Sequence, residues 1–222
     1  MNETNANELP DSLNSKPKRF PGVTSFEDDS LATELFFGRE EESQKVLHYI
    51  LAEHLVVIFS YSGYGKTSLL KAGVFKKLRE KNFYPILIRF NKKQYDPVEL
   101  IKSEIDSINE IEGYEVLHNS VAPTPGNSLV PFFKGLEIWS GDDRLLTPVL
   151  VFDQFEEIFT LEHNQQYVNS FFGNLAEVLK SKEEELNLKM VISIREDFLG
   201  HLEKMATPVS YTHLTLPTIL RV

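Results

Sequence analysis

The chain has 222 residues, 41% of them hydrophobic, a formal charge of -10 and no cysteine. That length buries one sizeable core, the missing cysteines exclude disulfides, thiolate metal sites and cysteine nucleophiles, and the acidic balance argues against broad binding to nucleic acid or anionic membrane. No apolar run approaches the roughly 20 residues of a membrane span and the N-terminus lacks a signal-like apolar centre, so a soluble cytoplasmic protein is expected.

Residues 1–19, MNETNANELPDSLNSKPKR, carry too few large apolar side chains to offset the entropy of ordering, and read as a flexible leader. Folded structure is expected from Phe20, with a helical stripe through Val46, Leu47 and Ile50. Four apolar runs follow: LVVIFS (55–60), FYPILIRF (83–90), PVLVF (148–152) and KMVISI (189–194). Runs with so little polar alternation suit strands buried on both faces, and helical sequence between them suits crossovers, so a mostly parallel α/β sheet is predicted. Leu70, Val74 and Leu78, at i, i+4 and i+8, give the helix after the first strand one apolar stripe. The long connection between strands two and three reads as a helix near 97–110, a loop centred on EGYEVLHNSVAPTPGN and a second helix near 128–139. None of the histidines at 48, 54, 118, 163, 201 and 213 has metal-ligand spacing.

The first of these strands runs into SYSGYGKTS, Ser60 to Ser68. A loop that binds nucleotide phosphates needs converging backbone N–H groups, a helix N-terminus, a lysine for the β and γ phosphates and a hydroxyl for Mg²⁺. The pattern G-x-x-x-x-G-K-[ST] is met everywhere except at its first position, which is Ser60. That position ends the strand, whereas Gly63 and Gly65 lie where φ > 0 and close approach to phosphate are needed. The candidate nucleotide-binding stretch is therefore Ser62, Gly63, Tyr64, Gly65, Lys66, Thr67 and Ser68.

The third run ends in DQFEE. Asp153 is a candidate Mg²⁺ ligand, acting through water and paired with Thr67, and Glu156 or Glu157 is a candidate base for an attacking water. The fourth ends in VISIRED, which places Arg195 at the carboxyl edge of the sheet, where an open α/β fold binds ligand. Arg195 either senses the γ phosphate or pairs locally with Glu196 or Asp197.

Four segments together, FPGVTSFEDDSLATELFFGREEE, SYSGYGKTSLLKAGVF, VLVFDQFEEIFT and ISIREDFLGHL, resemble the STAND class of P-loop NTPases. The similarity is to the novel STAND group of conflict-system type, and it covers about residues 20–205. It implies a three-layer α/β/α sandwich with sheet order 5-1-4-3-2. It also implies an ATP-Mg²⁺ switch, closed with ADP and homo-oligomeric with ATP, whose sensor and effector regions lie elsewhere. Lys66 and Thr67 match the family's loop lysine and hydroxyl, Asp153 its metal aspartate and Arg195 its sensor arginine. Phe37, Gly38 and Arg39 match an FFGR element near the nucleotide base. An AAA+-like ATPase acting on DNA or protein, and a nucleotide-binding scaffold without turnover, remain as alternatives.

The last fourteen residues, VSYTHLTLPTILRV, break from the pattern before them. Codon by codon, Val209 to Thr218 resemble a sequencing-library adaptor read in one frame, and Ile219 to Val222 fit its barcode and closing triplet. The expected organisation is a leader at 1–19, the NTPase segment at 20–208 and a non-native tail at 209–222. The fifth strand is then missing, the strand before the phosphate loop becomes an open edge, and the fragment is expected to be poorly soluble or loosely packed.

Overall fold

All four predicted runs are strands of one sheet. In the computed structural model, the described residues are 25, 26, 28, 34–91, 96–119, 128–160, 164–181, 186–206 and 218–222. The leader, the APTPG turn and residues 207–217 of the end lie outside them. The strands are β1 (Leu55–Ser60), β2 (Phe83–Ile88), β3 (Tyr114–His118), β4 (Leu136–Ser140), β5 (Leu145–Phe152), β6 (Lys189–Arg195) and β7 (Thr218–Arg221). β2, β5, β6, β1 and β7 lie side by side in that order and all pair parallel.

The helices are α1 (Glu40–Ala52), α3 (Pro97–Asp106), α4 (Leu129–Lys134), α5 (Glu157–Thr160), α6 (Gln165–Lys180) and α7 (Leu199–Ala206). Between α1 and α3, the segment after the phosphate loop, α2, is α-helical over Lys66–Ser68, π-helical over Leu69–Phe75 and α-helical again over Lys76–Arg79. Alternate residues of each central strand feed two separate cores, as the period of two requires. Val56, Ile58, Val149 and Val151 pack with α1 and α2 residues such as Val46, Ile50, Leu70 and Val74. Val57, Leu150, Phe152 and Ile192 pack with α3 and α6 residues such as Ile101, Ile105 and Phe171. This is the expected three-layer arrangement. Among the described residues no helix is long and apolar enough to cross a membrane.

Two expectations are corrected. The long connection contains an antiparallel hairpin: β3 arises inside the segment read as loop, and the helix expected to reach 139 stops at Lys134, where Gly135 caps it and β4 begins. The place expected to lack a strand is filled by β7, which pairs Val56 to Phe59 with Thr218 to Arg221. An edge of buried strand leaves N–H and C=O groups unpaired; this short segment satisfies them and buries Leu220 against the α1/α2 side.

Candidate functional site

The loop between β1 and α2 explains why a serine is tolerated at its start. Ser60 is the last residue of β1, in register with Arg195 and buried. Left-handed backbone occurs only later, at Gly63 (φ 82°) and Gly65 (φ 76°), where a side chain would be strained. Lys66 folds its amine back onto the Ser60 carbonyl (3.1 Å), the Ser60 hydroxyl (3.3 Å) and the Tyr61 carbonyl (3.3 Å). The serine therefore supplies the lysine with an extra acceptor. Burial lowers the Lys66 pKa, and the nearby carboxylates of Glu156 and Asp153 oppose that shift.

The acidic corner is built by strand register. Ile88 of β2, Phe152 of β5 and Ile192 of β6 are paired across the sheet, so the next residues, Arg89, Asp153 and Ser193, meet at its carboxyl edge. Asp153 is 1% exposed. Its Oδ1 accepts from the Ser193 hydroxyl (3.0 Å), and its Oδ2 accepts from the Thr67 hydroxyl (2.9 Å) and from Arg89 Nε (3.0 Å) and Nη2 (2.6 Å). A buried carboxylate needs such partners, because an unpaired one would bear the full desolvation penalty. Gln154 then turns the chain through φ 55°, which costs about 1–3 kcal/mol for a non-glycine residue and is the kind of strain that collects at functional sites. The turn swings Glu156 back so that its Oε2 accepts the Arg195 backbone N–H (3.2 Å). Glu157 opens α5; its pKa is raised by burial and by the charges of Glu156 and Asp153, with Arg89 opposing, and its Oε2 is buried with no hydrogen-bond partner.

Arg89, Asp153, Gln154, Glu156 and Arg195 line one cavity of about 940 Å³, together with Phe26, Phe36, Arg39 and residues Ser62 to Ser68. Arg39 donates from Nη1 to the loop carbonyls of Tyr64 (2.8 Å) and Gly65 (3.5 Å), and its other nitrogens hold Glu42. It fixes the loop backbone. Phe37 and Gly38 do not line the cavity; Phe36 does, and Phe37 is 64% exposed. Ser68 faces the cavity and accepts the Phe26 backbone N–H (3.2 Å). Tyr61 and Tyr64 stand exposed at the loop, their rings 6.0 Å apart. Arg195 lines the cavity while donating to Asp197 (3.0 and 2.6 Å), which is the local pairing read from the sequence. Glu156 lines the cavity and Glu157 does not.

Sequence reasoning gave no role to Arg89, Ser193 or Gln154. The arginine was legible as the polar end of FYPILIRF, the same signal that marked Asp153 and Arg195 on the neighbouring strands. As a cation site the corner offers hard oxygen donors, Thr67 and Asp153. Among the described residues no cluster of three or more His, Cys, Asp or Glu could hold a metal. That donor set fits Mg²⁺, which keeps waters and takes phosphate oxygens rather than a full protein cage.

A model of the family described as Novel STAND NTPase 1 matches residues 20–220. The chain belongs to that family. It is accordingly a P-loop NTPase, and the match runs past the boundary at 208 expected from the sequence, into β7. Among solved structures, the Walker-type ATPase of Pyrococcus abyssi is similar over 88% of this chain and 55% of its own, at 16% identity and a TM-score of 0.55. Cdc6p from Pyrobaculum aerophilum (16% identity, 87% and 48% covered, TM-score 0.48) and the ORC2 protein of Aeropyrum pernix in its ADPNP–ADP complexes (11%, 84% and 48%, 0.47) also match. At 16% identity the likeness to the Pyrococcus ATPase is one of fold, and the chain spans about half the length of the structures it matches. No curated protein matches it.

Proposed function

We propose that this family member is an ATP-Mg²⁺ switch that hydrolyses the β–γ phosphoanhydride and signals through regions outside residues 20–220. The observation that carries the reading is the convergence of Lys66, Thr67, Asp153, Glu156 and Arg195 on one cavity beside a glycine loop in left-handed backbone. Loop N–H groups and Lys66 would hold the phosphates, and Thr67 and Asp153 the Mg²⁺, which neutralises phosphate charge when bound. Glu156 would take the proton of a water whose oxygen attacks the γ phosphorus, releasing ADP and phosphate. Glu156 is preferred to Glu157 because it faces the cavity. Arg195, whose backbone N–H donates to Glu156, would exchange Asp197 for the γ phosphate, and ADP would leave that exchange unmade. The same reading has the ADP form closed and the ATP form homo-oligomeric, in the cytoplasm, without direct contact with nucleic acid.

Phosphate release by wild type and Glu156→Gln tests this. The variant is expected to bind ATP normally and to lose about 10²-fold or more in turnover, the ordinary contribution of a positioned base. Unchanged turnover in the variant would remove Glu156 from the role, and absence of turnover in wild type would favour a non-hydrolysing scaffold. The library-adaptor origin of Val209 to Val222 is a separate proposal, supported by the codon match. Independent reads of the source DNA that run past Pro208 into other sequence would bear it out; reads that encode VSYTHLTLPTILRV would end it.

A further inference from the structure

Four cations line the cavity, and each is already engaged inside the protein, Arg39 by Glu42 and by the loop carbonyls of Tyr64 and Gly65. Lys66 is held by Ser60 and Tyr61, Arg195 by Asp197, and Arg89 by Asp153. The last engagement differs in kind. Arg89 occupies Oδ2, the same carboxylate oxygen that takes the Thr67 hydroxyl. Thr67 and Asp153 are the oxygen pair that suits a divalent cation, so the guanidinium sits where that cation's charge would be. A divalent ion and a guanidinium cannot share one carboxylate oxygen without strong repulsion in a site walled by protein. One of them must leave, and Arg89 is free to do so: its side chain is 31% exposed against 1% for Asp153, and it borders the open cavity. A planar guanidinium released there has a ready acceptor in an incoming phosphate, which it can bind through two parallel N–H groups.

We propose that Arg89 is the resident counter-ion of this site: it neutralises Asp153 while no divalent cation is held, and turns to the terminal phosphate when cation and triphosphate enter together. The consequence is ordered loading. The bare protein discriminates against a free divalent ion, because that ion would have to expel Arg89 into a cavity whose other lining carboxylate, Glu156, already accepts the Arg195 backbone N–H. The nucleotide supplies the anion, so cation and triphosphate reinforce one another, and by linkage the reinforcement is reciprocal.

This inference rests on the nucleotide reading above, and Mn²⁺ binding to the full chain separates the two, followed by the free Mn²⁺ signal in electron paramagnetic resonance for the metal alone and, with ATP, by water-proton relaxation measured against Mn²⁺ and ATP without protein. Wild type is expected to bind Mn²⁺ weakly alone and tightly with ATP. Arg89→Gln is expected to bind Mn²⁺ alone about tenfold more tightly than wild type, within the ordinary range of site-to-site coupling. Adding Asp153→Asn to that variant should abolish the gain. Arg89→Lys, which keeps the charge, should restore weak binding and controls for a folding defect in the glutamine variant. If wild type binds Mn²⁺ with ATP but Arg89→Gln shows no gain with the metal alone, the counter-ion role is overturned and the nucleotide reading stands. If wild type binds no Mn²⁺ with ATP, both fall.

Discussion

One strand, β5, belongs to two kinds of structure. Leu145 and Leu146 pair antiparallel with β4, whereas Thr147 to Phe152 pair parallel with β2, and Val149 to Phe152 also pair with β6. Leu145 is 47% exposed, while Val149, Val151 and Phe152 are fully buried. The hairpin half needs only one inward residue on each partner strand, Val116 and Ile138. The parallel half is sealed on both faces and delivers Asp153 to the cavity. Polar groups at the end of a fully buried strand are held by their neighbours' register, which is how Arg89, Asp153 and Ser193 come to share one site. The hairpin adds surface without touching that row.

The sharpest way to break this contrast is Lys66→Ala. Removing a desolvated charge from its anion costs about 2–5 kcal/mol, so ATP affinity should fall by roughly 30-fold or more while the fold persists; an unchanged titration would mean that the loop does not bind phosphate. Ile138→Ala should do the reverse. A fully buried isoleucine reduced to alanine costs about 2–5 kcal/mol, so the melting temperature should drop, with ATP affinity within about twofold of wild type because energetically separate sites add independently. A matched loss of affinity would show that the hairpin is coupled to the site.

Gly73→Ala probes the support behind the loop. A Cβ at this position would come 2.3 Å from the Ser43 hydroxyl and 3.0 Å from the Phe36 ring. Overpacking of about 1–3 kcal/mol outweighs the gain of about 1 kcal/mol in helix propensity. Lower stability and a few-fold weaker ATP binding should appear together, since Phe36 lines the cavity.

The smallest effect is expected for Glu157→Gln. The wild-type carboxyl has its folded pKa raised above the ordinary 4.5. Its ionisation therefore costs nothing below 4.5, and lowers stability as pH rises from there through the folded value. The variant should match wild type near pH 4.5 and exceed it at neutral pH. The difference should be small, because the group is part-exposed and solvent screens its charge. Melts across that pH range would show it, and a variant less stable than wild type at neutral pH would refute it.

The same contrast explains what could be read from the sequence. β1, β2, β5 and β6 announce themselves because burial on both faces leaves unbroken apolar runs, and Leu70, Val74 and Leu78 mark the stripe of α2 as fully buried. The phosphate loop is equally local. The hairpin hides because YEVLH and LEIWS are too short to show alternation, and SLVPFFKGLEIWS reads as one helix unless Gly135 is taken as its end. Arg89 reaches Asp153 across 64 positions of sequence, and nothing near either residue reveals the meeting until strand order is known. Arg39 was visible in the FFGR element, but its contact with the Tyr64 carbonyl spans 25 positions and depends on how α1 lies against the loop. The β7 strand could not be foreseen from a tail whose sequence breaks with everything before it.

The central claim is that the cavity at the carboxyl edge of the parallel sheet holds a triphosphate and its cation. A crystal structure of the protein with Mn²⁺ and a non-hydrolysable ATP analogue tests it most directly, because anomalous scattering locates the metal independently of the phasing model. The account predicts the phosphates on the backbone of Gly63 to Thr67, the metal peak between Thr67 and Asp153, and Arg89 turned away from that carboxylate. A nucleotide bound elsewhere, or a metal remote from Asp153, would contradict it.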